Sequence, residues 1–227
     1  MIIAVGGCLT QQMGKAENLH GKFPYVDIIF GTHNLNKLGE MILLKKSRKK
    51  AVIEIEDSEG IICEEDKPFR TSYPNAWINI TYGCNNFCSY CIVPYVRGRE
   101  RSRKSENIIE EARSLIAGGY KEITLLGQNV SSFANGTEDI SFPELLNKIA
   151  SIDGKFRIRF MTSHPKDFSE ELAQVIAGNP KICKAVHLPV QSGSNAVLRA
   201  MNRKYTREDY LKKIEILKKY IPDCAIT

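Results

Sequence analysis

Residues 76–91 read AWINITYGCNNFCSYC and place three cysteines directly after an apolar, strand-like run. The cysteines are Cys84, Cys88 and Cys91, so the spacing is C-x3-C-x2-C, and Tyr90 stands immediately before the last one. Three thiolates on one loop can bind three irons of a cubane 4Fe–4S cluster and leave the fourth iron open. An open metal position is typical of catalytic sites, because structural sites close every position.

Zinc is the alternative metal for this loop, with a fourth ligand from His164 or His187. Zinc sites favour C-x2-C pairs, usually two of them, and the sequence has no second pair. A disulfide framework is disfavoured in a chain of 227 residues with seven cysteines and no secretion signal. The pattern therefore favours an iron–sulfur loop.

Strands and helices alternate regularly on both sides of the cysteine loop. This rhythm predicts parallel strands with crossover helices, arranged as a βα-barrel or a doubly wound sheet, with the chemistry at the carboxyl ends of the strands. The predicted strands of this half are residues 76–81, 122–126, 157–161, 185–190 and 224–227, and the predicted helices are residues 105–117, 142–152, 169–177 and 206–220.

The first part of the chain also reads as α/β, and we place the domain boundary so that residues 1–70 and 71–227 form the two domains. Residues 57–73 are polar and predict a linker, and the basic run 45–50 predicts a solvated helix end. Because the sequence begins and ends on a strand, we expect an internal piece of a longer protein. The predicted strands here are residues 2–5, 26–30 and 51–55, and the predicted helices are residues 11–20 and 34–45.

Composition limits the classes of protein that this chain can belong to. A net charge of +6 and a pI near 8.9 permit a nucleic-acid partner without requiring one. No stretch approaches the roughly 18 apolar residues of a membrane span, and the apolar N-terminus lacks the basic region of a signal peptide. We therefore expect a cytoplasmic protein with no membrane partner.

The sequence closely resembles the radical S-adenosylmethionine (SAM) methylthiotransferase family. The cysteine loop continues into residues 92–103, IVPYVRGRERSR, and the likeness extends to GQN at 127–129, TSHP at 162–165 and HLPVQSGS at 187–194. It covers essentially the whole chain. The resemblance implies an α/β fold: a partial (βα) barrel of the radical SAM type, preceded by a truncated methylthiotransferase N-terminal domain.

The resemblance also implies the reaction. A 4Fe–4S cluster on Cys84, Cys88 and Cys91 would bind SAM at its open iron and supply a radical that removes hydrogen from C2 of N6-dimethylallyladenosine, next to the anticodon, where a methylthio group is inserted. The implied partners are the tRNA anticodon stem-loop and an electron donor such as flavodoxin or ferredoxin. No side chain is predicted to be a catalytic acid or base, because radical abstraction needs none in its first step.

Three other readings of the same residues stay open. The chain could be a truncated, inactive remnant, or a sibling methylthiotransferase that acts on threonylcarbamoyladenosine in tRNA. It could also be a zinc-bearing RNA-binding module without catalysis.

A second 4Fe–4S cluster is implied for the whole protein, held by three cysteines of the N-terminal domain. Residues 7–11, GCLTQ, resemble the segment of the third such cysteine, and GTHN at 31–34 matches later sequence of that domain. Only Cys8 of the three ligands is present in this sequence. Cys63, Cys183 and Cys224 lie outside any family motif, and we expect them to be small packing residues.

Residues that would contact SAM are also implied by the resemblance. Gly127, Gln128 and Asn129 follow the second barrel strand, where the superfamily often binds the SAM amino group through Gly-Gly-Glu, a motif that this sequence replaces. Gln191 ends the fourth strand, and Tyr90 is expected to pack against the cluster or the SAM adenine. His164 and His187 are expected to be orienting or packed side chains, and Trp77 is expected to lie in the core.

Arg97, Arg99, Arg101 and Arg103 form an alternating basic stretch after the cysteines. In an extended segment, alternate side chains project to one side, which suits a row of tRNA phosphates or the SAM carboxylate. The alternative is a solvated loop whose arginines form salt bridges to Glu100 and Glu106.

Overall fold

The computed structural model describes residues 1–48, 50–56, 62 and 68–227, which divide into two compact units. The N-terminal unit contains the described residues up to 62 together with Gly83–Asn85 and Cys91–Arg99. The C-terminal unit contains residues 68–82, Asn86–Tyr90 and Glu100–Thr227. Cys63 and most of the predicted linker lie outside the described residues.

The N-terminal unit is a three-stranded parallel sheet with helices between its strands. The strands pair in the order β1-β2-β3, with Ala4 opposite Ile28 and Ile28 opposite Val52. Both predicted helices begin four residues later than the sequence suggested. The elements are β1 (Ala4–Gly6), α1 (Lys15–Lys22), β2 (Ile28–Phe30), α2 (Leu38–Ser47) and β3 (Val52–Glu54).

The carboxyl edge of this small sheet is fixed by side chains from two of the segments that follow its strands. Gln11 accepts a hydrogen bond from Thr32 N at 2.9 Å and donates to Glu56 O at 2.8 Å. Asn34 accepts from Gly31 N at 2.9 Å, and its amide donates to Glu54 O at 2.8 Å. The segments 7–11 and 31–34 therefore meet at the same edge.

The C-terminal unit is built on a parallel sheet in the order β4-β7-β8, as the alternation of elements predicts. A parallel bridge from Ile158 to Ile182 follows, and β9 and β10 pair in parallel. A short antiparallel pair, β5 with β6, follows the first strand. The strands are β4 (Asn75–Asn79), β5 (Thr81–Tyr82), β6 (Arg101–Ser102), β7 (Glu122–Leu126), β8 (Arg157–Phe160), β9 (Ala185–Val186) and β10 (Ala225–Ile226).

The helices of this unit begin at the residues that the capping signals indicate. Ser141 and Glu144 form a capping box, and Ser169 and Thr206 cap their helices through their side chains. Two short helices, α3 and α7, were not predicted, because four and six residues give too little periodicity. The helices are α3 (Val93–Val96, part of the N-terminal unit), α4 (Ser105–Ala117), α5 (Phe142–Ala150), α6 (Glu170–Gly178), α7 (Asn195–Ala200) and α8 (Arg207–Tyr220).

The core of the C-terminal unit lies between its sheet and helices α4, α5, α6 and α8. Ile108, Leu146 and Leu217 are each fully buried there. The prediction for Trp77 was wrong: its side chain is 46% exposed. Successive residues of β4 alternate between exposed and buried, so Ala76 and Ile78 fill the core and Trp77 points the other way. In the described part of the chain, no helix combines the length and apolarity needed to cross a membrane.

Candidate iron–sulfur and SAM site

Cys84 stands in a loop segment that requires a glycine before it. Gly83 has φ +74°, and a Cβ added there would lie 2.1 Å from Arg99 O. The backbone of the cysteine is also fixed, because Cys84 N donates to Gly98 O at 3.2 Å. The close approach of the backbone at Gly83 to the backbone at Arg99 therefore depends on the absence of a side chain at residue 83.

Cys88 is the buried cysteine of the loop, with 8% of its surface exposed. Its sulfur accepts a hydrogen bond from Arg203 Nη1 at 3.2 Å. The same nitrogen donates to the hydroxyl of Tyr90 at 3.4 Å, and the Tyr90 ring is 54% exposed. A buried guanidinium thus faces the thiol from a residue that lies 115 positions along the chain.

Cys84, Cys88 and Cys91 are all free thiols, as a metal-binding role requires. Cys84 and Cys91 are partly buried. Within the described residues, no three His, Cys, Asp or Glu side chains are positioned together to hold a metal ion. The ligand set therefore stays a prediction from the spacing.

The end of β7 approaches β5 closely at Gly127. A Cβ at Gly127 would lie 2.0 Å from Thr81 Oγ1, and the Thr162 hydroxyl donates to Gly127 O. The next residue, Gln128, keeps its Oε1 atom buried with no hydrogen-bond partner among the described residues. A buried acceptor without a partner costs about 1–3 kcal/mol, so it is suited to a donor from a bound ligand.

Asn129 is buried, and both ends of its carboxamide are engaged. Its Nδ2 donates to Asp167 Oδ2 at 2.6 Å, and its Oδ1 accepts from His164 N at 3.1 Å. The side chain joins the loop after β7 to the loop after β8. In this structure, therefore, the hydrogen bonds of Asn129 shape the strand ends.

A partly buried carboxyl group lies beside this network. Glu100 Oε2 accepts from Ser132 Oγ at 2.7 Å, and that oxygen also lies 3.0 Å from Asn129 O. Burial raises the pKa of Glu100 above its ordinary value; the hydrogen bond from Ser132 opposes this shift, and the charge of Asp167 adds to it. The sequence analysis gave Glu100 only a salt-bridge role.

The two histidines differ in their contacts. Burial lowers the pKa of His164 from 6.5 to about 3, and the positive charge of Arg203 contributes to the shift. The His164 ring therefore stays neutral and packs edge-on against Tyr205, with the ring centroids 5.6 Å apart. His187 Nδ1 lies 3.1 Å from Thr227 Oγ1.

The arginines after the cysteines do not form one extended row. Arg97 ends α3 with near-helical dihedral angles, Gly98 turns the chain at φ +74°, and only Arg101–Ser102 forms a strand. Arg103 is turned inward: it donates to Asn79 O at 3.0 Å and to Glu111 Oε2 at 2.7 Å. The expectation of a continuous alternating row was wrong, because Arg97 caps the end of α3 and Gly98 has a left-handed backbone.

The remaining arginines have separate surroundings. Arg101 keeps its Nε and Nη1 atoms buried, whereas Arg99 is exposed. Arg97 lies in the N-terminal unit, where its Nε donates to Cys8 Sγ at 3.3 Å. Cys8 itself follows β1 at the carboxyl edge of the sheet and is a free, partly buried thiol.

Three further predicted residues have simple placements. Gln191 is exposed and has φ +66°, so its backbone is in the left-handed region in the segment that follows β9. Cys224 packs against the hydrophobic core of that unit, and Cys183 is partly buried.

The fold and the cysteine loop define a recognised class of protein. Residues 78–227 match the family model of the radical SAM superfamily, which is well over half of the chain. The chain therefore belongs to the radical SAM superfamily.

Curated relatives cover this chain from end to end. A tRNA-2-methylthio-N(6)-dimethylallyladenosine synthase of Clostridium botulinum (strain Okra / Type B1) is 51% identical over 228 residues, which is 100% of this chain and 51% of that protein. The protein of the same name from Caldicellulosiruptor saccharolyticus is 52% identical over 100% of this chain and 48% of its own length. The chain thus spans about half the length of the relatives that it matches.

Solved structures share the fold at low sequence identity. The cobalamin-dependent radical SAM enzyme OxsB, with aqua-cobalamin and SAM bound, aligns with a TM-score of 0.67 and 16% identity over 96% of this chain and 35% of its own. The methyltransferase TsrM from Kitasatospora setae aligns with a TM-score of 0.52 and 21% identity over 64% of this chain and 28% of its own. These likenesses show the radical SAM fold and no more.

Sequence analysis missed Arg203 and Tyr205. Both lie in residues 201–205, MNRKY, which read as an ordinary loop before α8. Asn202 and Lys204 have φ +54° and +59°, so the backbone on each side of Arg203 is in the left-handed region. A basic residue between an asparagine and a lysine gives no signal in the sequence, because the thiol that it faces is distant along the chain.

Proposed function

We propose that this chain is part of a tRNA methylthiotransferase that inserts a methylthio group at C2 of N6-dimethylallyladenosine, next to the anticodon. The observation that carries the proposal is 51–52% identity across the whole chain to synthases named for this product. The identity includes the N-terminal unit as well as the radical SAM region, so it is more specific than the superfamily match. The enzyme's substrate is then the tRNA anticodon stem-loop.

We propose Cys84, Cys88 and Cys91 as the ligands of a 4Fe–4S cluster. Three free thiols at this spacing have the donor chemistry that such clusters use, and Gly83 permits the close loop backbone around the first of them. When bound, the cluster and SAM supply abstraction of a hydrogen atom from an unactivated C–H bond. The protein residues hold, orient and shield these groups.

SAM contacts are proposed for the strand-end residues Gly127, Gln128, Asn129 and Gln191, and for Tyr90. Gln128 offers the buried Oε1 acceptor described above, which suits an ammonium or hydroxyl donor. Because Gly127 has no side chain, the backbone after β7 can approach Thr81 of β5 closely. The role proposed for Asn129 is to hold the loop that carries the other two.

Cys8 is proposed as one ligand of a second 4Fe–4S cluster in the whole protein. It follows strand β1 of the parallel sheet of the N-terminal unit, and Arg97 offers a positive hydrogen-bond donor to its sulfur. We also propose residues 1–70 as part of the methylthiotransferase N-terminal domain, and residues 71–227 as part of a partial (βα) barrel.

Arg97, Arg99, Arg101 and Arg103 remain proposed tRNA contacts. Arg99 is exposed, so it is the best suited of the four to contact a phosphate. Arg103 already donates a hydrogen bond to Glu111. An electron donor such as flavodoxin or ferredoxin, and a cytoplasmic location, follow from the proposed reaction.

Metal analysis of the purified chain tests the cluster. After anaerobic reconstitution, we expect about four irons per chain and absorption near 400 nm. Cys84→Ala should abolish both, whereas the matched control Cys183→Ala, outside the loop, should leave them unchanged. One zinc and no iron would overturn the proposal in favour of a zinc-bearing module.

The substrate is tested by expressing the whole protein in a strain whose tRNA lacks the methylthio group. Mass spectrometry of digested tRNA should show 2-methylthio-N6-dimethylallyladenosine. Methylthiolated threonylcarbamoyladenosine would instead assign the sibling reaction. No modified nucleoside would mean that the protein is an inactive remnant.

A further inference from the structure

Residues 200–203, which we call the loop clamp, hold the middle of the cysteine loop by hydrogen bonds. Ser89 N donates to Met201 O at 3.1 Å, and Ser89 Oγ donates to Ala200 O at 2.9 Å. Asn202 Nδ2 donates to Phe87 O at 2.8 Å. These contacts fix the residues on both sides of Cys88 from the end of α7.

Arg203 is the buried residue of the loop clamp. It is 5% exposed, and its Nη1 lies 3.2 Å from Cys88 Sγ. Its Nε donates to the Tyr205 hydroxyl at 3.4 Å, and its guanidinium carbon lies 5.4 Å from the Tyr205 ring centroid. The Tyr205 hydroxyl in turn donates to Val190 O at 2.7 Å, which fixes the ring.

The charge of Arg203 lacks an ordinary counter-ion. Within the described part of the chain, no carboxylate forms an ion pair with it. Burying an unpaired guanidinium is unfavourable, so buried arginines are nearly always matched to an anion. The group within reach is the sulfur of Cys88, 3.2 Å from Nη1, and a cysteine sulfur that ligates a metal carries negative charge.

We propose that Arg203 is a positioning residue for the cysteine loop: it holds Cys88 in its ligating position and raises the reduction potential of the cluster bound there. The proposal rests on the cluster assignment made above. An N–H···S bond and a nearby positive charge stabilise the additional negative charge of a reduced cluster, and hydrogen bonds to cluster sulfurs are among the factors that set its potential. Arg203 would thereby ease delivery of the electron.

Hydrogen exchange on the metal-free chain tests the positioning. Arg203→Gln and Asn202→Ala should each speed exchange of the amides of residues 86–90 about tenfold, because opening of this loop becomes easier. The matched control is Arg207→Gln, since that side chain is 58% exposed and, among the residues that the structure describes, forms its ion pair with the neighbouring Glu208. Unchanged exchange in both clamp variants would overturn the positioning.

Redox titration of the reconstituted chain tests the electronic effect. Arg203→Gln should shift the one-electron reduction equilibrium about tenfold toward the oxidised cluster, which is a potential lower by about 59 mV. Arg203→Lys, which keeps the charge but loses the planar fork, should give a smaller shift. Arg207→Gln should not change the potential.

The outcomes separate this proposal from the one it rests on. A wild-type chain that binds no iron overturns the cluster assignment. Hydrogen exchange then tests only whether the loop clamp positions the cysteine loop. Normal iron content with an unchanged potential in Arg203→Gln overturns the electronic effect and leaves the cluster standing. If circular dichroism shows that Arg203→Gln is unfolded, Arg203→Lys and Asn202→Ala provide the judgement by the same two measurements.

Discussion

Asn129→Asp is the substitution that most sharply tests the network at the strand ends. It keeps the shape of the side chain but replaces the Nδ2 donor, which lies 2.6 Å from Asp167 Oδ2, with a second carboxylate oxygen. The site then contains two like charges, and the hydrogen bond to Asp167 is lost. Asn129 is 2% exposed, so the pair is poorly screened by water.

The expected penalty follows from two limits. Coulomb repulsion at this separation with an effective dielectric constant of 20 is about 6 kcal/mol. The two carboxylates can also avoid the repulsion by taking up one proton that they share. That uptake costs about 1.4 kcal/mol for each pH unit above the ordinary aspartate pKa of about 3.9, and this cost is the second limit. We therefore expect a loss of about 3–5 kcal/mol in the free energy of unfolding at pH 8.

The pH dependence gives this prediction its sign. Proton sharing raises the pKa of the carboxylate pair in the folded state above its unfolded value. The penalty is therefore fully developed at high pH and shrinks as the pH falls and the folded pair takes up its proton. At pH 5 the loss should be about 1–2 kcal/mol, because pH 5 is only about one unit above the unfolded pKa.

Urea unfolding at pH 8 and pH 5, followed by circular dichroism, measures both values. Asn129→Ala is the matched control, because it removes the carboxamide without adding a charge and should show a similar loss at both pH values. An Asn129→Asp penalty that is equal at pH 5 and pH 8, or below about 1 kcal/mol at pH 8, would refute the network as described.

Three further predictions concern unfolding of the same chain. Gly127→Ala should cost about 1–3 kcal/mol in urea unfolding, because its Cβ would lie 2.0 Å from Thr81 Oγ1; the double variant with Thr81→Ala should recover most of the loss, and full additivity would contradict this account. Gly83→Ala should cost about 2–4 kcal/mol, because the left-handed backbone and the contact with Arg99 O both penalise a Cβ, and an unchanged melting temperature would refute it. Because the pKa of His164 is lowered to about 3, only the unfolded chain takes up a proton at this residue between pH 6.5 and 3, and the free energy of unfolding falls by about 1.4 kcal/mol per pH unit as the pH drops. The free energy of unfolding of His164→Gln should depend on pH less steeply, by about that amount, between pH 6 and 5. Equal slopes for the variant and the wild type would argue against the burial of the ring.

Much of the C-terminal unit was predictable because its local signals agree with one another. Helix 105–117 was predicted with its observed bounds, since Ile108, Ala112 and Leu115 share one buried face and Gly118 ends the helix. The capping box at Ser141 marked the start of α5 in the same way. Periodicity and caps are properties of neighbouring residues, so one sequence is enough to read them.

Other features depend on distant contacts and could not be read from one segment. Trp77 is apolar in an apolar strand, but its exposure depends on which face of β4 the helices cover. Asn129 was predicted to face a cofactor, and nothing in its neighbours indicates that its amide is hydrogen-bonded to Asp167 and His164. The inward turn of Arg103 likewise depends on Glu111 of α4.

The separation in sequence between the cysteine loop and its clamp has a consequence for biosynthesis. Residues 87–89 find their partners at 200–203 only after more than a hundred further residues have been made. A ribosome needs on the order of ten seconds for that length. Throughout that interval the thiols are present on an unanchored nascent segment that is open to oxygen and to stray metals. We therefore expect the proposed cluster to be assembled only after the downstream helices have been made and have bound this loop.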